Sequence, residues 1–133
     1  MTEEEFLGHP PSNKVEWVQS LNDWARLCHK DAAKWWYDQD GRKLIRNKGE
    51  MLMLMVSELS EAMEGERKNL MDSHLPDRKA IEVELADLLI RLFDYAGAYN
   101  LDLDGAVWAK RSYNSTRKDH TLEERNKPNG KKW

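Results

Sequence analysis

The sequence predicts an all-α protein: a bundle of three long helices and a shorter fourth. Three observations lead there. The segments "MLMLMVSELSEAMEGE" and "IEVELADLLIRLFDYAG" repeat apolar residues at helical spacing. No stretch alternates with the period of two that marks a half-buried strand. Glycine, proline and asparagine fall in short connectors between the periodic segments.

Residues 1–12, with Gly8, Pro10 and Pro11, read as an irregular arm. The first helix is expected after Ser12, with Trp17, Leu21, Trp24 and Cys28 on one buried stripe. The stretch "KWWYDQDGRKLIRNKG" breaks periodicity and carries Gly41 and Gly49, which predicts a loop or a short helix. A second helix runs from Leu44 or Lys48 to Asn69. "MDSHLPD" connects it to a third, expected over Asp77–Tyr99, with Pro76 just before its start. Asn100 is a stop signal, and the fourth helix is expected from Asp102 or Asp104 to Arg117. Residues 119–133 form a polar tail with Pro128 and Gly130, expected to be extended. One domain is expected over residues 1–133.

Composition narrows the function classes. An apolar fraction of 40% suits a folded domain rather than a disordered chain. A net charge of −3, from many charges of both signs, gives no bulk attraction to nucleic acid or to a membrane. No apolar run reaches the length of a membrane span. One cysteine, Cys28, excludes an internal disulfide framework, and "MTEEEF" lacks the features of a secretory leader, so a cytoplasmic location is expected. His9, His29, His74 and His120 show no metal-ligand spacing, and no glycine-rich phosphate loop or nucleophile elbow is present.

The informative anomaly is acidic. On the second helix Glu58 and Glu61 lie about 60° apart and extend the arc of Met51, Leu54 and Met55. On the third, Glu84 and Asp87 form a similar pair among Val83, Leu88 and Ile90. Helices that bury these stripes against each other bring four carboxylates together. Two like charges about 5 Å apart repel by roughly 3 kcal/mol at an effective dielectric of about 20. The four groups must therefore protonate, spread apart or bind a cation. An all-carboxylate site suits Mg²⁺ or Mn²⁺, whereas Zn²⁺ favours histidine or cysteine. The alternative is that the acids face solvent and pair with cations such as Arg91, four residues after Asp87.

Glu58-Leu59-Ser60-Glu61, a spacer, and Glu84-Leu85-Ala86-Asp87 resemble the ExxE…ExxD signature of the MazG-like all-α nucleoside triphosphate pyrophosphohydrolases, a superfamily that includes dimeric dUTPases. The resemblance spans about residues 44–117 and continues in "KRSYNSTR". Ser57 stands where relatives often carry one more acid. The resemblance implies a four-helix MazG-like bundle and Mg²⁺-dependent hydrolysis of a (deoxy)nucleoside triphosphate to the monophosphate and pyrophosphate. It implies that Glu58, Glu61, Glu84 and Asp87 hold the metal while a bound water attacks the α-phosphorus. Glu61 is the expected general base, with Glu58 the second acid of the catalytic pair.

Lys110, Asn114 and Arg117 share one helix face and are expected to receive the β- and γ-phosphates. Lys48 is a further candidate for phosphate or sugar, and Trp35 or Trp36 for stacking on the base. Arg91 is expected to orient a ligand and Asp94 to act as an outer ligand or a partner of Lys110, with structural pairing the alternative for both. The second helix is apolar on most sides, through Leu52, Val56, Leu59 and Ala62 with Met53 and Met63 beyond. One short chain of four helices is not expected to cover it, so a homodimer or homotetramer is expected. Two readings compete with the enzyme: a catalytically silent helical oligomer that binds nucleotide or a protein, and a nucleic-acid module using the basic tail.

Overall fold

The structure, a computed structural model, describes residues 14–117, 119 and 121–131. The expected arm over 1–12 lies outside the described residues, as do His9 and His120. Among the described residues the chain is all-α. The helices are α1 (Leu21–Asp31), a 3₁₀ turn (Ala33–Trp35), α2 (Lys48–Lys68), α3 (Ala80–Ala98), α4 (Leu103–Thr116) and α5 (Leu122–Arg125). Among the described residues no strand forms, and two isolated bridges, Tyr37 with Lys43 and Met71 with Lys79, close loops.

α1 starts nine residues after Ser12, because Ser20 and Asp23 form a capping box. The Ser20 hydroxyl accepts from the Asp23 N–H, and the Asp23 carboxylate accepts from the Ser20 N–H. Trp17 therefore lies before the helix and is half-exposed, not on its buried stripe. A second cap ties α1 to α4. Asp104 accepts from the Leu21 and Asn22 N–H groups, and Asn22 accepts in return from Leu103 N–H at 2.9 Å. Each helix start thereby satisfies donors of the other.

Asn47 caps α2 by accepting from Glu50 N–H, which selects Lys48 over Leu44 as its start. Asn69 ends it in the left-handed conformation at φ 50. α3 begins at Ala80, three residues later than expected. Pro76 and Asp77 lie in a turn closed by Arg78 N–H on Leu75 C=O, and Ala80 N–H bonds back to Leu70 C=O. The tail also differs from expectation: Thr121 accepts from Glu124 N–H and starts the short helix α5.

α3 is the central element, antiparallel to both α1 and α2. Its Phe93 and Ala96 meet Ala25 and Cys28 of α1, with Leu21, Leu92 and Leu103 at the margin. Backbones approach closely at two glycines. A Cβ on Gly97 would stand 2.4 Å from Ala25 O, and one on Gly65 would stand 2.9 Å from Ala80 Cβ. These contacts fix how α1 and α2 cross α3, and so set the register between the acidic pairs.

Candidate metal centre

α2 turns Met51, Met55, Ala62 and Gly65 inward as its buried residues. Their spacing is that of a seam between antiparallel helices, and Glu58 occupies the one remaining position in it. Glu61, one place off the seam, is exposed while Glu58 is not. On α3 the matching row runs Ala80, Glu84, Asp87, Arg91 and Asp94. The two helices therefore meet through small and sulfur-containing side chains at some levels and through charged ones at the middle.

At that middle level Glu58, Glu84 and Asp87 each offer an oxygen, all within 4.8 Å of one another. Glu84 stands within hydrogen-bonding reach of both Glu61 and Glu58. Burial, then Glu61, then Glu58 and Asp87 push the Glu84 carboxyl up to about 7. Asp87 is raised as well, by burial and by Glu58, against the opposing pull of Arg91. The acids face one another rather than scattering into water. A proton held between them or a bound cation relieves this crowding.

The donors fit a hard divalent ion. Opposed oxygens around Mg²⁺ at about 2.1 Å stand about 4.2 Å apart. Oxygens of the three carboxylates lie within 4.8 Å of one another, near enough to share one such ion. None of the three is a histidine or cysteine, which disfavours zinc. Glu58, Glu84 and Asp87 would hold the ion, with Glu61 on the solvent side.

The structure does not join the other expected site residues to this cluster within one chain. α4 packs chiefly on α1. Lys110 lies over the Tyr113 ring at 4.7 Å, and Arg117 donates to Asp119 at 2.9 Å. Asn114 Oδ1 is buried and accepts no hydrogen bond among the described residues. Lys48 sits over Tyr99 at 4.4 Å, ten residues or about 15 Å along the helix from Glu58. Of the adjacent tryptophans, Trp35 is 63% exposed and Trp36 only 1%. Trp36 has no free face for a base, because the 3₁₀ turn sends it inward beneath the loop.

Three residues matter in ways their spacing did not signal. Asp94 is buried and accepts from Trp36 Nε1 at 3.0 Å and pairs with His29 Nδ1 at 2.9 Å. It is neither an outer ligand nor a partner of Lys110. His29, to which the sequence assigns no metal-ligand spacing, is half of this link between α1, α3 and the 3₁₀ turn. Arg91 reaches across to Glu58, Nε to Oε1 at 2.9 Å, rather than back to Asp87. Cys28 is buried, and burial with Asp31 and Asp94 nearby pushes its thiol up to about 11, so it is a core residue without nucleophilic character. No family model, curated protein or solved structure matches the chain.

Proposed function

We propose that this chain is a Mg²⁺-dependent nucleoside triphosphate pyrophosphohydrolase with a MazG-like bundle, acting as a homodimer or a homotetramer. The observation that carries the reading is the convergence of Glu58, Glu84 and Asp87, with Glu61 beside them, across the α2–α3 seam. The ExxE…ExxD resemblance implies four metal-holding acids; three of them converge here, and Glu61, exposed beside Glu84, is left for the base role. Mn²⁺ is an acceptable substitute on the same donor chemistry.

The side chains divide the work by position. Glu58, Glu84 and Asp87, partly buried, fix the ion by three oxygens from two helices. The ion, when bound, supplies positive charge to the triphosphate and lowers the pKa of a coordinated water. Glu61, exposed at the rim and adjacent to Glu84, would accept the proton of the water that attacks the α-phosphorus. Pyrophosphate leaves in line, and the monophosphate remains.

Lys110, Asn114 and Arg117 receive the β- and γ-phosphates in this reading, with Trp35 the remaining aromatic for the base. α4 rests on α1 within one chain, so the reading draws these residues toward the acids from a second copy. The uncovered apolar surface supports that assembly: Leu52, Met53, Val56, Leu59 and Met63 of α2 are all exposed, as are Leu85, Leu89 and Ile90 of α3. Among the described residues no helix is long and apolar enough to cross a membrane.

The test is pyrophosphate release from a panel of dNTPs and NTPs, with and without Mg²⁺. Release that requires Mg²⁺ and disappears in Glu84→Gln supports the enzyme. Tight nucleotide binding without release would replace it with the non-catalytic oligomer. Salt-sensitive binding of DNA or RNA that is weakened by truncating the tail would favour the nucleic-acid module.

A further inference from the structure

We propose that Arg91 is the built-in counter-ion of the acidic centre, and that a divalent cation must displace it from Glu58 to bind. The inference rests on reading the centre as a metal site, and adds to it a residue that regulates cation uptake. Glu58 lies in the seam with its side chain 12% exposed, and the Arg91 guanidinium is bonded to it at 2.9 Å. Among the described residues no other cation forms an ion pair with Glu58, Glu61, Glu84 or Asp87. Arg91 also opposes the charge on Asp87, one turn before it.

Its position makes it both support and competitor. In the metal-free protein one fixed positive charge offsets part of the repulsion among four acids that α2 and α3 hold together. A dication on the same Glu58 carboxylate would meet that guanidinium at short range, where like charges repel strongly. The guanidinium has somewhere to go: the Arg91 side chain is 42% exposed, so rotating it outward returns it to water. Cation binding and the Arg91–Glu58 pair are therefore alternatives, and the pair sets the ion concentration at which the centre fills. A lysine there keeps the charge but not the planar fork, and holds Glu58 less firmly.

The experiment titrates Mn²⁺ into the full chain, following free Mn²⁺ by electron paramagnetic resonance, for wild type, Arg91→Gln, Arg91→Lys and Glu84→Gln. Melting temperatures are read without metal and at saturating Mn²⁺. Arg91→Gln is expected to bind Mn²⁺ about fivefold tighter than wild type. It should also melt lower without metal, with the gap closing as Mn²⁺ is added. Arg91→Lys should lie between the two, and carries the test alone if Arg91→Gln does not fold. Unchanged or weaker Mn²⁺ affinity in the Arg91 variants overturns the proposal. If that result accompanies binding that Glu84→Gln abolishes, the metal centre stands and only the role of Arg91 falls. If wild type and Glu84→Gln alike fail to bind Mn²⁺, both readings fall together.

Discussion

Glu84 lies against two glutamates and an aspartate, and its raised carboxyl pKa has a direct consequence for stability. The folded-state value, about 7, is above its ordinary 4.5, so between those values the folded chain binds a proton that the unfolded chain does not. Stability of the metal-free protein therefore rises as pH falls from 7 toward 4.5, and is lowest above 7, where the carboxylate is ionised. Asp87, raised in the same direction, adds to the trend. Melting curves without metal should show a higher transition near pH 5.5 than near pH 8. Glu84→Gln should flatten that slope, and a slope of opposite sign would contradict the crowding described here. Glu61 has a different role at the same scale. Glu61→Gln is expected to cut turnover by about 10²–10⁴-fold, the usual range for a lost general base. Mn²⁺ affinity should change little, because Glu61 stands outside the trio that holds the ion. Single-turnover rates set beside metal titrations separate the two effects.

At the scale of elements, the acidic pairs meet because α2 and α3 cross at fixed points. Gly97 lies so close to Ala25 that an added methyl group meets backbone oxygen. Gly97→Ala should therefore cost about 1–3 kcal/mol despite alanine's better helix propensity. Chemical denaturation measures it, and a stabilised variant would show that α1 yields without penalty. The same elements show how far a sequence can be read. α2 and α3 are legible as periodic apolar stripes and α4 from the Asn100 stop and the Asp102 cap before it, and the ends of α2 and α4 fall close to their caps. α1 starts later than the Trp17-to-Cys28 spacing implies, because a stronger local signal, the Ser20-x-x-Asp23 box, sets its first turn. The Trp35–Trp36 pair was ambiguous for a related reason: adjacent aromatics outside a periodic helix carry no inside-or-outside information. A 3₁₀ turn decided it, exposing one and burying the other.

At the scale of the whole molecule, the site was legible as pairs and not as an assembly. Spacing places Glu58 with Glu61 and Glu84 with Asp87, because each pair lies within one helix. The Arg91–Glu58 and Asp94–Trp36–His29 contacts depend on the register between elements, which periodicity does not encode. The packing of α4 on α1, away from the acids, was equally invisible, and it is what makes a second copy necessary to the proposed mechanism. Sedimentation analysis should find a dimer or tetramer. Val56→Asp together with Leu59→Asp, both at exposed positions of α2, should dissociate it and abolish pyrophosphate release. A wild-type monomer that still hydrolyses nucleotide would exclude a shared site.

The central claim is that carboxylates from α2 and α3 form one binding site for a hard divalent ion. A crystal of the protein soaked in Mn²⁺ and measured for anomalous scattering tests it most directly. A strong peak is expected between the helices, about 2.2 Å from oxygens of Glu58, Glu84 and Asp87. A map with no peak there at millimolar Mn²⁺, and the three side chains turned apart into solvent, would contradict it.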